Sequence, residues 1–280
     1  MRSRIESFAS AIAVRGARSC TLVRKGAREE SRREALRTLQ RRARNEWQRI
    51  PHQLLSTPGH TMSPGDYDAW YESARGRWIG ETEFRLLGRL LDIRPGHSVL
   101  DVGCGTGWFT RRFAAMADVR VTGLDRDVES LMFAHDHDRR SSYVLADASS
   151  LPFVDASFDR IVSIAALCFM PNWRIALSEM IRVTRGRFAV GTLHRPSFLW
   201  WMKARGGGTG AYRGAHWHTG AEFRRGFDGL PVSDLRLHYG IFVPTGSRFA
   251  QTAERAIPSP IPFGAVVVAT GYKMVVIAYR

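Results

Sequence analysis

The residues best suited to chemistry follow a short apolar run, Leu100-Asp101-Val102-Gly103-Cys104-Gly105-Thr106-Gly107. Three glycines at alternate positions let a backbone turn tightly and approach a ligand with no Cβ in the way. A helix opening just after them would present unpaired N–H groups to the loop. A dinucleotide fingerprint would carry its last glycine at position 108. Trp108 stands there instead, and a bulky ring at that point argues against a pyrophosphate. Asp125 lies 22 residues beyond Gly103, the spacing at which an acid accepts both hydroxyls of a ribose. Loop and acid together specify an adenosine-like ligand far better than either alone. The plainer alternative for Asp125 is a cap for the next helix.

Further along, Ala146-Asp147-Ala148 is followed by Leu151-Pro152-Phe153 and Ser157-Phe158-Asp159. Asp147 is placed to accept a hydrogen bond from an adenine amine, although turn-forming aspartates are common. Asp159 reads as a structural acid at a strand start. Histidine is the natural base near neutral pH, and His194 follows an apolar run, with His216 and His218 beyond it. A lone histidine is more often structural than catalytic. Cys20, Cys104 and Cys168 are too scattered for a disulfide framework or a zinc site, and no metal cluster is visible.

These residues need a scaffold, and the rhythm of the chain supplies one. Strand-like runs at Ser98 to Val102, Arg120 to Leu124, Ser142 to Leu145, Arg160 to Ile164 and Arg187 to Thr192 alternate with helical patterns. The helical patterns are Trp78 to Leu91, Trp108 to Met116, Asp127 to His135 and Trp173 to Val183. Such alternation predicts a doubly wound, mostly parallel α/β sheet of Rossmann-like form. Two longer β-rich runs, Val232 to Val243 and Ala265 to Ala278, predict an antiparallel hairpin closing one edge. In such sheets ligands bind beyond the carboxyl ends of the strands, where the glycines and acids stand.

Charge is uneven along the 280 residues. Of 41 Lys/Arg and 26 Asp/Glu, residues 1–61 carry 14 and 5, leaving 27 and 21 for the rest. Leu36, Leu39, Ala43, Trp47 and Ile50 form one apolar stripe, so the extension is read as partly helical between Ala27 and Ile50. It is expected to be a poorly packed arm, with contact to nucleic acid or a membrane surface, or organelle targeting, as alternatives. Met62 stands just before the first globular pattern and offers a start that would leave the arm untranslated. No stretch reaches the ~20 apolar residues of a membrane-spanning helix. A soluble, reduced, cytoplasmic protein is expected, with residues 62–280 forming the functional domain, its core at 95–193 and acceptor-side elements at 194–280.

The run Val99 to Gly107, the acid at 125, Ala146-Asp147-Ala148 with Leu151-Pro152-Phe153, and Ser157-Phe158-Asp159-Arg160-Ile161-Val162 resemble the successive motifs of class I S-adenosylmethionine-dependent methyltransferases, type 11 branch. The resemblance runs from about Asp66 to Leu193 and is specific for the cofactor, nearly silent on the acceptor. It implies S-adenosyl-L-methionine bound by Asp101, Gly103, Cys104, Gly105, Thr106, Gly107, Asp125, Arg126, Asp147, Ala148 and Ala165. Within that set Asp125 would hold the ribose and Asp147 with Ala148 the adenine, while Ala165 and Leu167 would lie beside the reactive methyl. The segment Ala165-Ala166-Leu167-Cys168-Phe169-Met170 lacks the polar Asn/Asp-Pro-Pro-Tyr motif of amine-methylating relatives. Tyr67, Trp70 and Arg77, in an aromatic stretch before the first strand, are candidates to touch cofactor or acceptor as a lid.

Methyl transfer from a sulfonium is an in-line displacement that mainly needs alignment and a dry site. The reading is therefore a methyltransferase acting on an O, N or C atom of a small, partly apolar acceptor, with His194 as the candidate base. Phe198-Leu199-Trp200-Trp201-Met202 either floors that acceptor pocket or packs on the core, and the glycine-rich run after Arg205 reads as a hinge. The alternatives are an RNA methyltransferase that uses the basic arm and a non-catalytic cofactor-binding module.

Overall fold

The computed structural model describes residues 62–204 and 210–274, so the expectations for the N-terminal arm, for most of the glycine-rich run and for the last six residues fall outside it. Two helices come first, α1 (Pro64–Trp70) and α2 (Ala74–Leu91). The sheet then alternates with helices: β1 (Ser98–Val102), α3 (Trp108–Ala114), β2 (Arg120–Asp125), α4 (Val128–His137), β3 (Ser142–Leu145), β4 (Phe158–Ile164), α5 (Trp173–Val183) and β5 (Thr184–Leu193). Beyond it lie α6 (Phe198–Lys203), α7 (Gly220–Arg225), β6 (Val232–Gly240), α8 (Arg248–Ala256) and β7 (Val266–Lys273). No described helix is long and apolar enough to cross a membrane.

Seven strands form one sheet in the order β3-β2-β1-β4-β5-β7-β6. The first five pair in parallel, and β7 runs antiparallel to both β5 and β6. The antiparallel pair at the edge is present as expected, but its order is not that of a simple hairpin. β7 enters between β5 and β6, and a 25-residue excursion containing α8 joins the pair. The chain order reverses between β1 and β4, which is where a doubly wound sheet opens its ligand crevice.

Side chains alternate across the sheet, as the two-residue strand period requires. Leu100, Ile161, Phe188 and Val267 pack with Leu177 and Met180 of α5 on one face. Their neighbours Val99, Val162, Ala189 and Val268 pack with Leu87, Leu91, Phe109 and Phe113 of α2 and α3 on the other. Both faces are covered, so the strands read as nearly continuous apolar runs.

Helix starts follow their caps. Ser63 caps α1 ahead of Pro64, and Ser73 accepts from the Gly76 N–H and starts α2 four residues before the apolar periodicity does. Asp127 caps α4, its side chain accepting from the Ser130 N–H. At the far ends of the strands Asp159 accepts from the Ser98 N–H and Oγ and pairs with Arg185. Although burial opposes it, those partners hold its pKa near 2. Asp159 ties β1, β4 and β5 together, the structural role its position suggests.

Candidate active site

The loop after β1 has φ +75 at Gly103, +52 at Gly105 and +78 at Gly107. Left-handed backbone of this kind favours glycine. The N–H groups of Gly103 and Cys104 both donate to the Leu124 carbonyl (2.7 and 3.0 Å), which seats the loop on the end of β2. A Cβ at Gly103 would overlap that of Ala166, so the loop lies against the segment after β4. A Cβ at Gly105 would meet nothing within 4 Å, so that position faces open space.

Asp125 ends β2 beside this space. Its Oδ2 accepts from the Gly105 N–H at 2.8 Å and its Oδ1 from the Asp127 N–H at 3.0 Å. Because Asp127 caps α4, Asp125 is not needed there. Burial raises its pKa, and the backbone donors oppose the rise. Asp101 lies below the loop, 1% exposed, accepting from the Thr110 hydroxyl at 2.6 Å. Burial pushes its pKa up to about 7, and Asp125 adds to the shift. Burial likewise raises the Cys104 thiol well above its usual value, so it is no thiolate nucleophile.

The turns after β2, β3 and β4 carry the remaining cofactor candidates. The Ala146 N–H donates to the Asp125 carbonyl (3.0 Å), which brings the turn after β3 alongside. In that turn Asp147 is exposed and its Oδ1 accepts from the Ser149 N–H and hydroxyl, an Asx-type turn. Ala148 is buried and Arg126 is exposed. Ala165 takes φ +53 and donates its N–H to the Gly191 carbonyl. That unusual conformation turns the chain from β4 into the Ala166–Met170 segment against the glycine loop.

A contact the sequence reading missed joins the N-terminal helices to this loop. Asp68 of α1 accepts from the Thr106 hydroxyl (2.9 Å) and pairs with Arg111 (2.7 Å), whose other nitrogen donates to the Thr106 carbonyl (2.6 Å). Beneath this bridge Tyr71 stacks on Trp108 with ring centroids 4.4 Å apart. The Trp108 ring is therefore buried against α2 and the Arg112 guanidinium, 3.9 Å from its centroid, and does not itself fill the ligand side. The expected steric argument against a pyrophosphate does not hold for the ring as placed. Tyr67 lies edge-on to Tyr71 and is 37% exposed, and Trp70 packs on Tyr71. Arg77 instead pairs with Glu72, both side chains largely exposed to solvent.

In the segment after β4, Leu167 is fully buried in the core, while Phe169 is 42% exposed. His194 is buried, its Nδ1 on the Gly264 carbonyl at 3.0 Å, and burial lowers its pKa. Helix α6 buries Leu199 and exposes Phe198, Trp201 and Met202. Within α2, Glu83 is buried and its pKa is pushed up to about 8, chiefly by burial and secondarily by Glu254.

Residues 100–189 match the methyltransferase domain family of type 11. The chain is 43% identical over 100 residues to malonyl-[acyl-carrier protein] O-methyltransferase of Erwinia pyrifoliae, covering 35% of this chain and 38% of that one. It is 39% identical over 147 residues to methyltransferase GfsG of Streptomyces halstedii, covering 48% and 49%. The chain spans about two-fifths to one-half the length of these curated relatives. The fold resembles a SAM-dependent methyltransferase structure from Thermotoga maritima with TM-score 0.61 and 21% identity, over 75% of this chain and 95% of that one. The cofactor of such domains is S-adenosyl-L-methionine, and the cleft suits it: a carboxylate at the end of β2 beside open space over a glycine.

Proposed function

We propose, from the match of residues 100–189 to the methyltransferase domain family of type 11, that this chain is a class I S-adenosylmethionine-dependent methyltransferase that moves the cofactor's methyl group to an O, N or C atom of a small, partly apolar acceptor. The bound sulfonium supplies an activated methyl and a neutral leaving group. The chain's own work is to bind, align and dry. Asp125 would accept the ribose hydroxyls, and Gly103, Gly105 and Gly107 would line the methionine portion. Asp147 and Ala148 would flank the adenine, and Asp101 would support the loop through Thr110. The exposed ring of Phe169 and the apolar face of α6 would favour an acceptor with hydrocarbon surface. Of the acceptor atoms oxygen is favoured, since one relative is named as an O-methyltransferase and the segment after β4 lacks a polar amine-methylating motif. No proton is routed through His194 in this reading; its role is to join the ends of β5 and β7.

A single observation carries the reading: the Asp125 carboxylate joins the end of β2 to the Gly105 N–H beside open space. Calorimetric titration of the full chain with S-adenosyl-L-methionine tests it, together with labelled-cofactor incubation of cell extract and mass identification of the product. Saturable binding and a labelled small product are expected. Absence of binding would remove the cofactor assignment, and label found only in RNA would move the acceptor to the nucleic-acid alternative.

A further inference from the structure

We propose that His216, His218 and Glu222 form a binding site for one divalent transition-metal ion of the zinc class, separate from the methyl-donor cleft. One donor atom from each residue lies within 4.8 Å of the others. His216 and His218 are two apart in an extended segment held on both sides. The His216 N–H donates to the Cys168 carbonyl, and His218 bridges to His194, donating to the Leu193 carbonyl and accepting from the Arg195 N–H. Residues i and i+2 of extended chain share a face, so both rings come to the same side. Glu222 arrives from the first turn of α7, whose Thr219 cap accepts from the Glu222 N–H at 3.1 Å.

The ion pair between His216 Nε2 and Glu222 Oε1, 2.8 Å apart, explains two of the three residues and leaves the third unexplained. His218 is completely buried, and its Nε2 has no hydrogen-bond partner among the described residues. A buried unpaired polar nitrogen costs about 1–3 kcal/mol, so its retention points to a ligand. Its other nitrogen, Nδ1, lies 3.0 Å from the Thr192 hydroxyl. A hydrogen bond at the remote nitrogen is how metal-ligating histidines are oriented and their tautomer set. If Nδ1 donates to Thr192, Nε2 keeps a free lone pair, the form in which an imidazole binds a metal.

Two imidazoles and one carboxylate suit a zinc-class ion, and three protein donors leave a further position for water or substrate. Metal–ligand distances of about 2.1 Å place tetrahedral donors roughly 3.4 Å apart. The widest spacing would therefore close on binding, which the exposed His216 side chain can accommodate. Arg174, whose guanidinium sits over the Trp173 ring, is the cation near His218 that the ion would have to tolerate. An ion here would brace the segment behind Leu167–Phe169, because His216 is tied to Cys168 within it.

Titration of chelator-treated full-length chain with Co2+, followed by visible absorption, tests the site without reference to activity. One equivalent should saturate, Zn2+ should displace it, and His216→Ala and Glu222→Gln should each weaken binding at least about tenfold. Thr192→Val should weaken it by roughly 10–100-fold through the remote hydrogen bond. His218→Ala is a poor probe because the ring is core, whereas His216 is exposed and its loss should leave the fold intact, as circular dichroism would show. No saturable cobalt signal, or one unchanged in both the His216 and Glu222 variants, would overturn the proposal. Binding of S-adenosyl-L-methionine, measured on the same samples, is expected to persist in these variants, so the two assignments fail separately.

Discussion

At Asp125 and Gly103 single atoms decide whether the cleft exists. Asp125→Ala removes the acceptor of the Gly105 N–H and the partner expected for the ribose. S-adenosyl-L-methionine affinity should fall by about 1–3 kcal/mol, roughly 5- to 150-fold, the cost of stranding buried donors; unchanged affinity by calorimetry would remove the ribose assignment. Gly103→Ala combines a φ of +75 with overlap on Ala166. It should lower the denaturation midpoint by the equivalent of about 1–3 kcal/mol, whereas an equal midpoint would mean the loop yields freely. These residues were legible because their chemistry is local: alternate glycines and one acid at a set spacing. Asp68 was not, since its partners Thr106 and Arg111 lie 38 and 43 residues away. His216 and His218 were named only beside His194 as bases, and Glu222 not at all, for a different reason. Their spacing looks unremarkable until an extended segment and a helix start fold the donors together.

Helices α1 and α2 owe their place to contacts that periodicity does not announce. The Asp68 bridge to Thr106 and Arg111 is the polar link from α1 to the glycine loop, and both charged side chains are about four-fifths shielded. Asp68→Ala should leave Arg111 and Thr106 without that partner. Hydrogen exchange should then accelerate in residues 64–70 while β1 and β4 keep their protection; uniform exchange across both regions would deny α1 a separate role as a lid. A second property of α2 is its response to pH. Glu83, raised to about 8 by burial, binds its proton more tightly in the folded than in the unfolded chain. Its contribution to stability is present below the unfolded pKa near 4.5 and is lost as pH rises toward 8. Glu83→Gln should reduce that decline, an effect of a few kcal/mol at most, seen as denaturation midpoints that fall less between pH 5 and 8, the part owed to buried Asp101 remaining. The start of α2 was misjudged because its first turn, Ala74 to Arg77, carries charge and glycine, and the Ser73 cap sets the boundary.

Across the whole molecule the parallel core was readable because each strand is an apolar run followed by a helical pattern, and both faces of such a sheet must be covered. The placement of β7 between β5 and β6 was not readable, since either order satisfies the same apolar pattern and a long connection permits both. The core also bears on the basic arm. Among the described residues, the sheet's two apolar layers draw on 62–274, and residues 62–280 are expected to fold and bind the methyl donor without residues 1–61. A ligand at one hundred times its Kd stabilises a folded protein by about 2.7 kcal/mol. In a domain of this length that raises Tm by roughly 5–10 °C. The full chain and the 62–280 fragment should show the same rise, and Asp125→Ala should lose most of it at the same ligand concentration. A fragment that melts cooperatively but ignores the ligand would make the arm part of the site, and one that does not melt cooperatively would make it part of the fold.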